Sequence, residues 1–324
     1  MPLQFLGLEK ERKDVPRIVT GLRSLDRAFY NEKRQYGIPV GCGWEVYGAT
    51  AIGKSTFVYS LAGIIAREQK GNIVLLDLEN FDANFLESVL TSVGMTDGTI
   101  NILSDYDSHE DAMQNLLEMM KEPDNVVGIL DSVGAVSPLA EMEGEFGEAN
   151  MGKRAKLMAQ YSRRAIHFMK FYQPFTMFMT NHMLANFSGY GVSTPGGDVK
   201  NYLNTVRIQM RRKEEFDDGS YVLEGKVKKN RWGYENGHFF VVVLAGYGIH
   251  YGLTAMFDGM MSGRIKRGKT VKIGDTSYGY LKDILKKAHS GDDEFFRPFY
   301  NGNLSEEVAD SNDPDLEGEA SDTV

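Results

Sequence analysis

Short, continuously apolar runs punctuate the first 180 residues of this chain, with longer mixed runs between them. "GWEVYG" (43–48), "NIVLLD" (72–77), "NVVGILD" (125–131) and "FTMFMTN" (175–181) show no alternation of apolar and polar positions. Unbroken runs of six or seven residues predict strands buried on both faces, as in a parallel sheet. The stretches 55–70 and 151–170 between them predict helices, so the economical fold is a doubly wound α/β sheet. Beyond residue 200 the pattern changes. "TVRIQMRRK", "YVLEGKVKKNR" and "HFFVVVLAG" predict consecutive antiparallel strands, joined by turns rich in Gly, Asp and Asn, that extend one edge of the sheet. Residues 251–300, with the helical "GYLKDILKKAH", predict a small carboxy-terminal subdomain. No internal repeat is present.

Composition narrows the class. The chain has 324 residues, 42% apolar and 25% charged, as in an ordinary soluble globular protein built as one large domain or a core with an appendage. No apolar run approaches the roughly 18 residues that cross a bilayer. The opening "MPLQFLGLEKERKD" lacks a signal-peptide core. A single cysteine, Cys42, excludes an internal disulfide framework and predicts a reducing, cytoplasmic setting. The net charge of −9 argues against nucleic acid only until its distribution is read. Eight acidic and no basic residues fall between Ser305 and Val324, leaving a nearly neutral body with basic clusters "MRRK" (210–213) and "KVKKNR" (226–231). Residues 301–324 therefore predict a disordered polyanionic tail, serving either solubility or competition with an anionic ligand.

The first chemical signal is Gly48-Ala49-Thr50-Ala51-Ile52-Gly53-Lys54-Ser55, followed by Thr56. This G-x-x-x-x-G-K-[ST] spacing, between an apolar strand and a helix, predicts a loop whose backbone N–H groups cradle a nucleotide's phosphates. Lys54 would reach the β/γ oxygens and Ser55 would ligate Mg²⁺. A second metal-side carboxylate belongs at the end of an apolar strand. Asp131 and Asp77 both qualify, and spacing does not choose between them. Glu79, two residues past Asp77, stands where a carboxylate can polarise an attacking water at a strand's carboxyl end.

The segment "DSVGAVSPLAEMEGEFGEANMGKRAKLMAQYSRR" (131–164) closely resembles the RecA family of DNA strand-exchange proteins. "VTGLRSLD" (19–26), the phosphate loop, "LLDLEN", "TNH", "TPGG" (194–197) and "KKNRWG" match in order, so the resemblance covers roughly residues 16–285. It implies a RecA-like ATPase core over 19–250, a short amino-terminal oligomerisation segment over 1–18, and two DNA-binding loops, 141–151 and 183–197. It gives Glu79 the water-activating position and Asp131 the Mg²⁺ side. His182 falls where bacterial members carry a glutamine that senses the γ-phosphate, a substitution that brings pH sensitivity within reach.

The resemblance also implies the DNA contacts. The first loop is acidic, so charge alone would not nominate it. Met151 takes the position of an apolar wedge between bases, and Lys156 and Arg163 match phosphate-contacting arginines. In the second loop Phe187 and Tyr190 could wedge or stack, and the backbones of Gly196 and Gly197 would face phosphates. Lys229 and Arg231 match basic residues that reach a neighbouring subunit's γ-phosphate. Such a head-to-tail contact propagates into a helical filament.

The expected function is thus an ATP- and Mg²⁺-dependent recombinase that forms filaments on single-stranded DNA and pairs it with homologous duplex. A loader and a single-strand-binding protein are expected as further partners. A weakly hydrolysing recombination mediator is the alternative: intact Lys54, Ser55, Glu79 and Asp131 argue against it, whereas His182 and the resemblance's shorter amino-terminal segment and trimmed carboxy-terminal subdomain favour it. A hexameric helicase motor would lack the "EMEGEFGEANMG" loop. In the family the acidic tail restrains DNA binding.

Overall fold

The computed structural model describes residues 15–79, 82–144, 152–171, 174–185, 192–198 and 200–300. Its main sheet uses β1 (Gly43–Gly48), β2 (Asn72–Asp77), β3 (Ile100–Ile102), β4 (Asn125–Asp131), β5 (Thr176–His182), β6 (Asn204–Glu215), β7 (Tyr221–Asn230), β8 (His238–Leu244) and β9 (Gly248–Ile249). The spatial order is β9-β8-β7-β6-β1-β5-β4-β2-β3. Every pairing from β6 to β3 is parallel, and β6 to β9 pair antiparallel. This is the expected α/β class, with antiparallel strands at one edge.

Two details differ from expectation. "TVRIQMRRK" is not simply the first antiparallel strand. It runs parallel to β1 and antiparallel to β7, and so turns one half of the sheet into the other. The edge strand β3 went unanticipated because three residues carry too little periodicity to register.

Helices cover both faces. The helix α1 (Lys54–Gln69) is buried along its whole length from Thr56 to Ala66 and packs with α2 (Ala83–Ser92) against one face. On the other face lie α3 (His109–Met119) and α4 (Lys153–Phe171). The amino ends of α2 and α3 are fixed by side-chain caps. Asp82 accepts from the backbones of Asn84 and Phe85, and Ser108 accepts from Asp111. Each such cap contributes about 1 kcal/mol.

All six residues of β1 are buried. Trp44 anchors the strand, its ring 5.0 Å from that of Phe29 and 5.5 Å from that of Phe178. Truncating a core aromatic of this kind to alanine costs about 3–5 kcal/mol. The strand that carries the phosphate loop is therefore held within the main hydrophobic core.

Residues 251–300 form α5 (Tyr251–Met261), α6 (Leu281–His289), α7 (Asp293–Tyr300) and a small three-stranded sheet over 265–279. Their apolar faces share a core with Val222, Val242 and Leu244 of the antiparallel strands. Among the described residues no helix is long and apolar enough to cross a membrane.

Candidate active site

The phosphate loop leaves the carboxyl end of β1 and feeds α1. A Cβ on Gly48 would meet the Ile52 side chain at 2.4 Å and the Met210 carbonyl at 2.5 Å, so only glycine fits. Ala51 (φ 59°) and Gly53 (φ 102°) are both left-handed and flank Ile52. Left-handed residues interleaved with ordinary ones turn successive N–H groups to one side, forming a nest for an anion. The start of a 16-residue helix adds its dipole. Ala49, Thr50 and Ala51 are exposed; Ile52 and Thr56 are buried. Lys54 Nζ donates to the Ala49 carbonyl at 2.8 Å. Burial pulls the Lys54 ammonium below the usual lysine range, and the charges of Glu79 and Asp131 oppose that shift.

The two rival aspartates stand side by side, Asp77 on β2 opposite Asp131 on β4. Their surroundings differ. Asp131 is buried and accepts from the Tyr59 hydroxyl at 2.9 Å and from the Thr180 hydroxyl. Asp77 is half-buried and accepts from the Glu79 backbone at 3.0 Å. Tyr59 lies one helical turn beyond Ser55, so both face the same way. Burial, followed by the charges of Asp131, Asp77 and Glu79, drives the Tyr59 phenol far above its ordinary value, which keeps it a hydrogen-bond donor. The exposed Glu79 carboxylate accepts from the Ser132 hydroxyl, just past Asp131. Ser55, Tyr59, Asp77, Glu79, Asp82, Phe85 and Asp131 line one cleft of about 240 Å³.

His182 ends β5 and packs against Gly134, where an added Cβ would lie 2.3 Å from Nδ1. Burial lowers its pKa first, and the positive charges of Lys54 and Arg154 lower it further. Glu79 works in the other direction.

Behind the loop sits a buried charge cluster that sequence reasoning missed. Glu45 on β1 is fully buried and pairs with Arg207 Nε at 2.6 Å and Lys200 Nζ at 3.6 Å. It also accepts from Asn181 Nδ2 at 2.9 Å. Asn181 donates at 3.0 Å to the carbonyl of Pro195, and Lys200 donates to those of Gly197 and Thr194 at 3.1 and 3.3 Å. The strand bearing the phosphate loop is thereby tied to the carboxyl root of the segment 183–197. A charged residue inside the apolar run "GWEVYG" was the available signal, since a buried charge needs partners.

The remaining expected residues lie as follows. Gly196 (φ 97°) and Gly197 (φ 71°) are left-handed and fit against Val133 and Ala155. That contact brings the second loop's root beside the turn after Asp131 and the start of α4. Lys156 and Arg163 are exposed on α4. Glu141 and Met142 belong to a short helix, Leu139–Met142. Lys229 donates to the carbonyls of Asn201 and, at 2.9 Å, Asn204 of its own chain. Arg231 is exposed, and neither residue lines the cleft. Met151, Phe187 and Tyr190 lie outside the described residues, as do residues 1–14 of the amino-terminal segment and the tail 301–324.

Comparison with known proteins names the architecture. The RecA N-terminal domain family matches residues 3–232, well over half of the chain. The chain belongs to the RecA family. Over 326 aligned residues it is 28% identical to the mitochondrial DNA repair protein recA homolog 3 of Arabidopsis thaliana, covering 95% of this chain and 73% of that protein. It is 28% identical to Protein RecA of Lactobacillus acidophilus over 68% of this chain and 59% of that protein. With Protein RecA of Listeria monocytogenes the identity is 29%, over 59% of this chain and 54% of that protein. The matches thus span between about half and three quarters of these relatives' lengths, and they include organellar as well as bacterial proteins. The parallel sheet with an antiparallel edge is the RecA-like fold.

Proposed function

We propose that this RecA-family chain is a DNA-dependent ATPase of the bacterial or phage-encoded type. It polymerises head to tail on single-stranded DNA and catalyses homologous pairing and strand exchange. The observation that carries the reading is a convergence. Lys54, Ser55, Glu79, Asp131 and His182 gather around one end of the sheet, and Gly196 and Gly197 pack on Val133, two residues beyond Asp131. One nucleotide site and one candidate DNA loop thus share a wall. Relatives named as RecA and as a DNA repair protein support a role in recombination and repair.

Mg²⁺ fits the donors present. No group of three His, Cys, Asp or Glu side chains among the described residues makes a self-sufficient metal site. A hydroxyl and a carboxylate, from Ser55 and Asp131, suit a hard cation that completes its shell with water and phosphate oxygens. When bound, it supplies positive charge to the β and γ oxygens. The protein's own groups do the rest. Backbone N–H groups of 48–55 hold the β-phosphate, and Lys54 reaches the γ side. Glu79, oriented by Ser132, accepts the proton of the attacking water. His182 stays neutral near pH 7 and donates one N–H toward the γ-phosphate.

Lys229 and Arg231 complete the neighbouring protomer's site, which makes nucleotide and filament interdependent. Residues 251–300 act as a small appended subdomain, and a loader and a single-strand-binding protein serve the filament in the cytoplasm. His182, in place of the family's glutamine, specifically favours the second reading of a weakly hydrolysing mediator.

The test is strand exchange between homologous DNAs by the wild-type chain and by Glu79→Gln. Exchange by the wild type, with ATP-stabilised filaments but turnover reduced about 10²–10⁴-fold in the variant, supports the recombinase. Filaments without exchange in the wild type favour the mediator.

A further inference from the structure

The phosphate loop contains a backbone conformation that its own sequence does not favour. Ala51 is left-handed at φ 59° and is not glycine. A β-carbon makes this region unfavourable, and such residues persist only where the surroundings hold them. Gly53, the other left-handed residue of the nest, has no such difficulty.

Among the described residues, the Arg212 side chain hydrogen-bonds Ala51 from outside the loop. Arg212, on β6, donates through Nη2 to the Ala51 carbonyl at 2.7 Å and lies 3.4 Å through Nε from the Ile52 carbonyl. It is itself held from two sides. Its guanidinium stacks 4.0 Å from the centroid of Tyr221, and Nη1 pairs with Glu215 at 2.7 Å. The Tyr221 hydroxyl in turn stands where a Cβ on Gly53 would lie, at 2.5 Å. Arg212 therefore takes the two carbonyls that point away from the nest. A planar fork suits two neighbouring acceptors, whereas an ammonium does not.

We propose that Arg212 is a positioning residue for nucleotide phosphate. By binding the outward carbonyls of Ala51 and Ile52 it holds Ala51 left-handed, so that the N–H groups of 51–53 converge on the phosphate before nucleotide arrives. The inference rests on the reading that loop 48–55 binds a nucleotide. It adds a residue more than 150 positions away in sequence that the loop motif does not contain. Glu215 and Tyr221 act through Arg212, fixing the direction of its fork.

The test is equilibrium binding of fluorescent mant-ADP with Mg²⁺ to the full chain without DNA, with thermal melting measured alongside. Arg212→Ala weakens binding about tenfold, equivalent to about 1.4 kcal/mol. Adding Ala51→Gly, which relieves the left-handed position, to Arg212→Ala restores most of the lost affinity. A purely structural role for Arg212, or one confined to DNA, would not be rescued at position 51. Arg212→Lys keeps the charge over Tyr221 but not the fork. It weakens binding severalfold with unchanged melting, which covers the case in which the alanine variant unfolds. Unchanged affinity in Arg212→Lys and Arg212→Ala, or failure of Ala51→Gly to rescue, overturns the inference. Absence of mant-ADP binding by the wild type would instead overturn the nucleotide reading beneath it.

Discussion

Replacing Glu45 by Gln removes the negative charge at the centre of the buried cluster while keeping its shape. Lys200, whose side chain is 3% exposed, then keeps the carbonyls of Thr194 and Gly197 as its hydrogen-bond partners among the described residues, with Asp198 the remaining negative charge that acts on it. Arg207, 22% exposed, loses its 2.6 Å partner but keeps some access to solvent. Leaving one buried ion without its counter-ion costs about 3–5 kcal/mol. Water at Arg207 discounts its share, so the expected loss for Glu45→Gln is about 3 kcal/mol. At about 2 °C per kcal/mol for a chain of this size, melting falls by roughly 6 °C. The urea midpoint should fall without a change in slope. Because Lys200 and Asn181 anchor the carbonyls of 194–197, hydrogen exchange should rise first in that segment. Adding Lys200→Met to Glu45→Gln should recover part of the loss, since it removes the buried ammonium left without a counter-ion. A Glu45→Gln chain within 0.5 kcal/mol of wild type would refute the claim that this cluster ties the loop root to β1.

Other outcomes follow from the site. Tyr59→Phe removes one of the two hydroxyls on Asp131, so the Mg²⁺ concentration for half-maximal nucleotide binding should rise severalfold while binding in EDTA stays unchanged; an unchanged Mg²⁺ requirement would count against Asp131 as the metal-side carboxylate. Folded-state His182 titrates below its usual 6.5, from burial and from Lys54 and Arg154. Its contribution to stability is therefore present above about pH 6.5 and is lost as pH falls through the folded value. His182→Gln should flatten that limb in pH-dependent melting, and an unaltered limb would assign the effect elsewhere.

Much of the fold was legible because burial on both faces removes polar alternation, and β1, β2, β4 and β5 are buried in that way. The direction of β6 was not legible. Its alternating burial, with Val206, Ile208 and Met210 inside, suits either a parallel or an antiparallel neighbour. The phosphate loop could be read because its backbone geometry demands glycine at fixed positions. Asp77 and Asp131 could not be told apart by spacing because they end neighbouring strands in register; the deeper burial of Asp131 and the hydroxyls of Tyr59 and Thr180 distinguish them. Arg212 looked like one member of a basic cluster, and Glu45 like an ordinary strand residue. A charge inside the run 43–48 signals that Glu45 needs partners, but those partners, like the partners of Arg212, lie about 160 residues away in the chain, and no local pattern names them.

The proposed function requires that the phosphate loop and the two candidate DNA loops work as one coupled machine. ATP hydrolysis with and without single-stranded DNA, by the wild type and by Lys54→Ala, tests it most directly. Strong stimulation by DNA that disappears in Lys54→Ala is the predicted result. Nucleotide binding with turnover indifferent to DNA would contradict it.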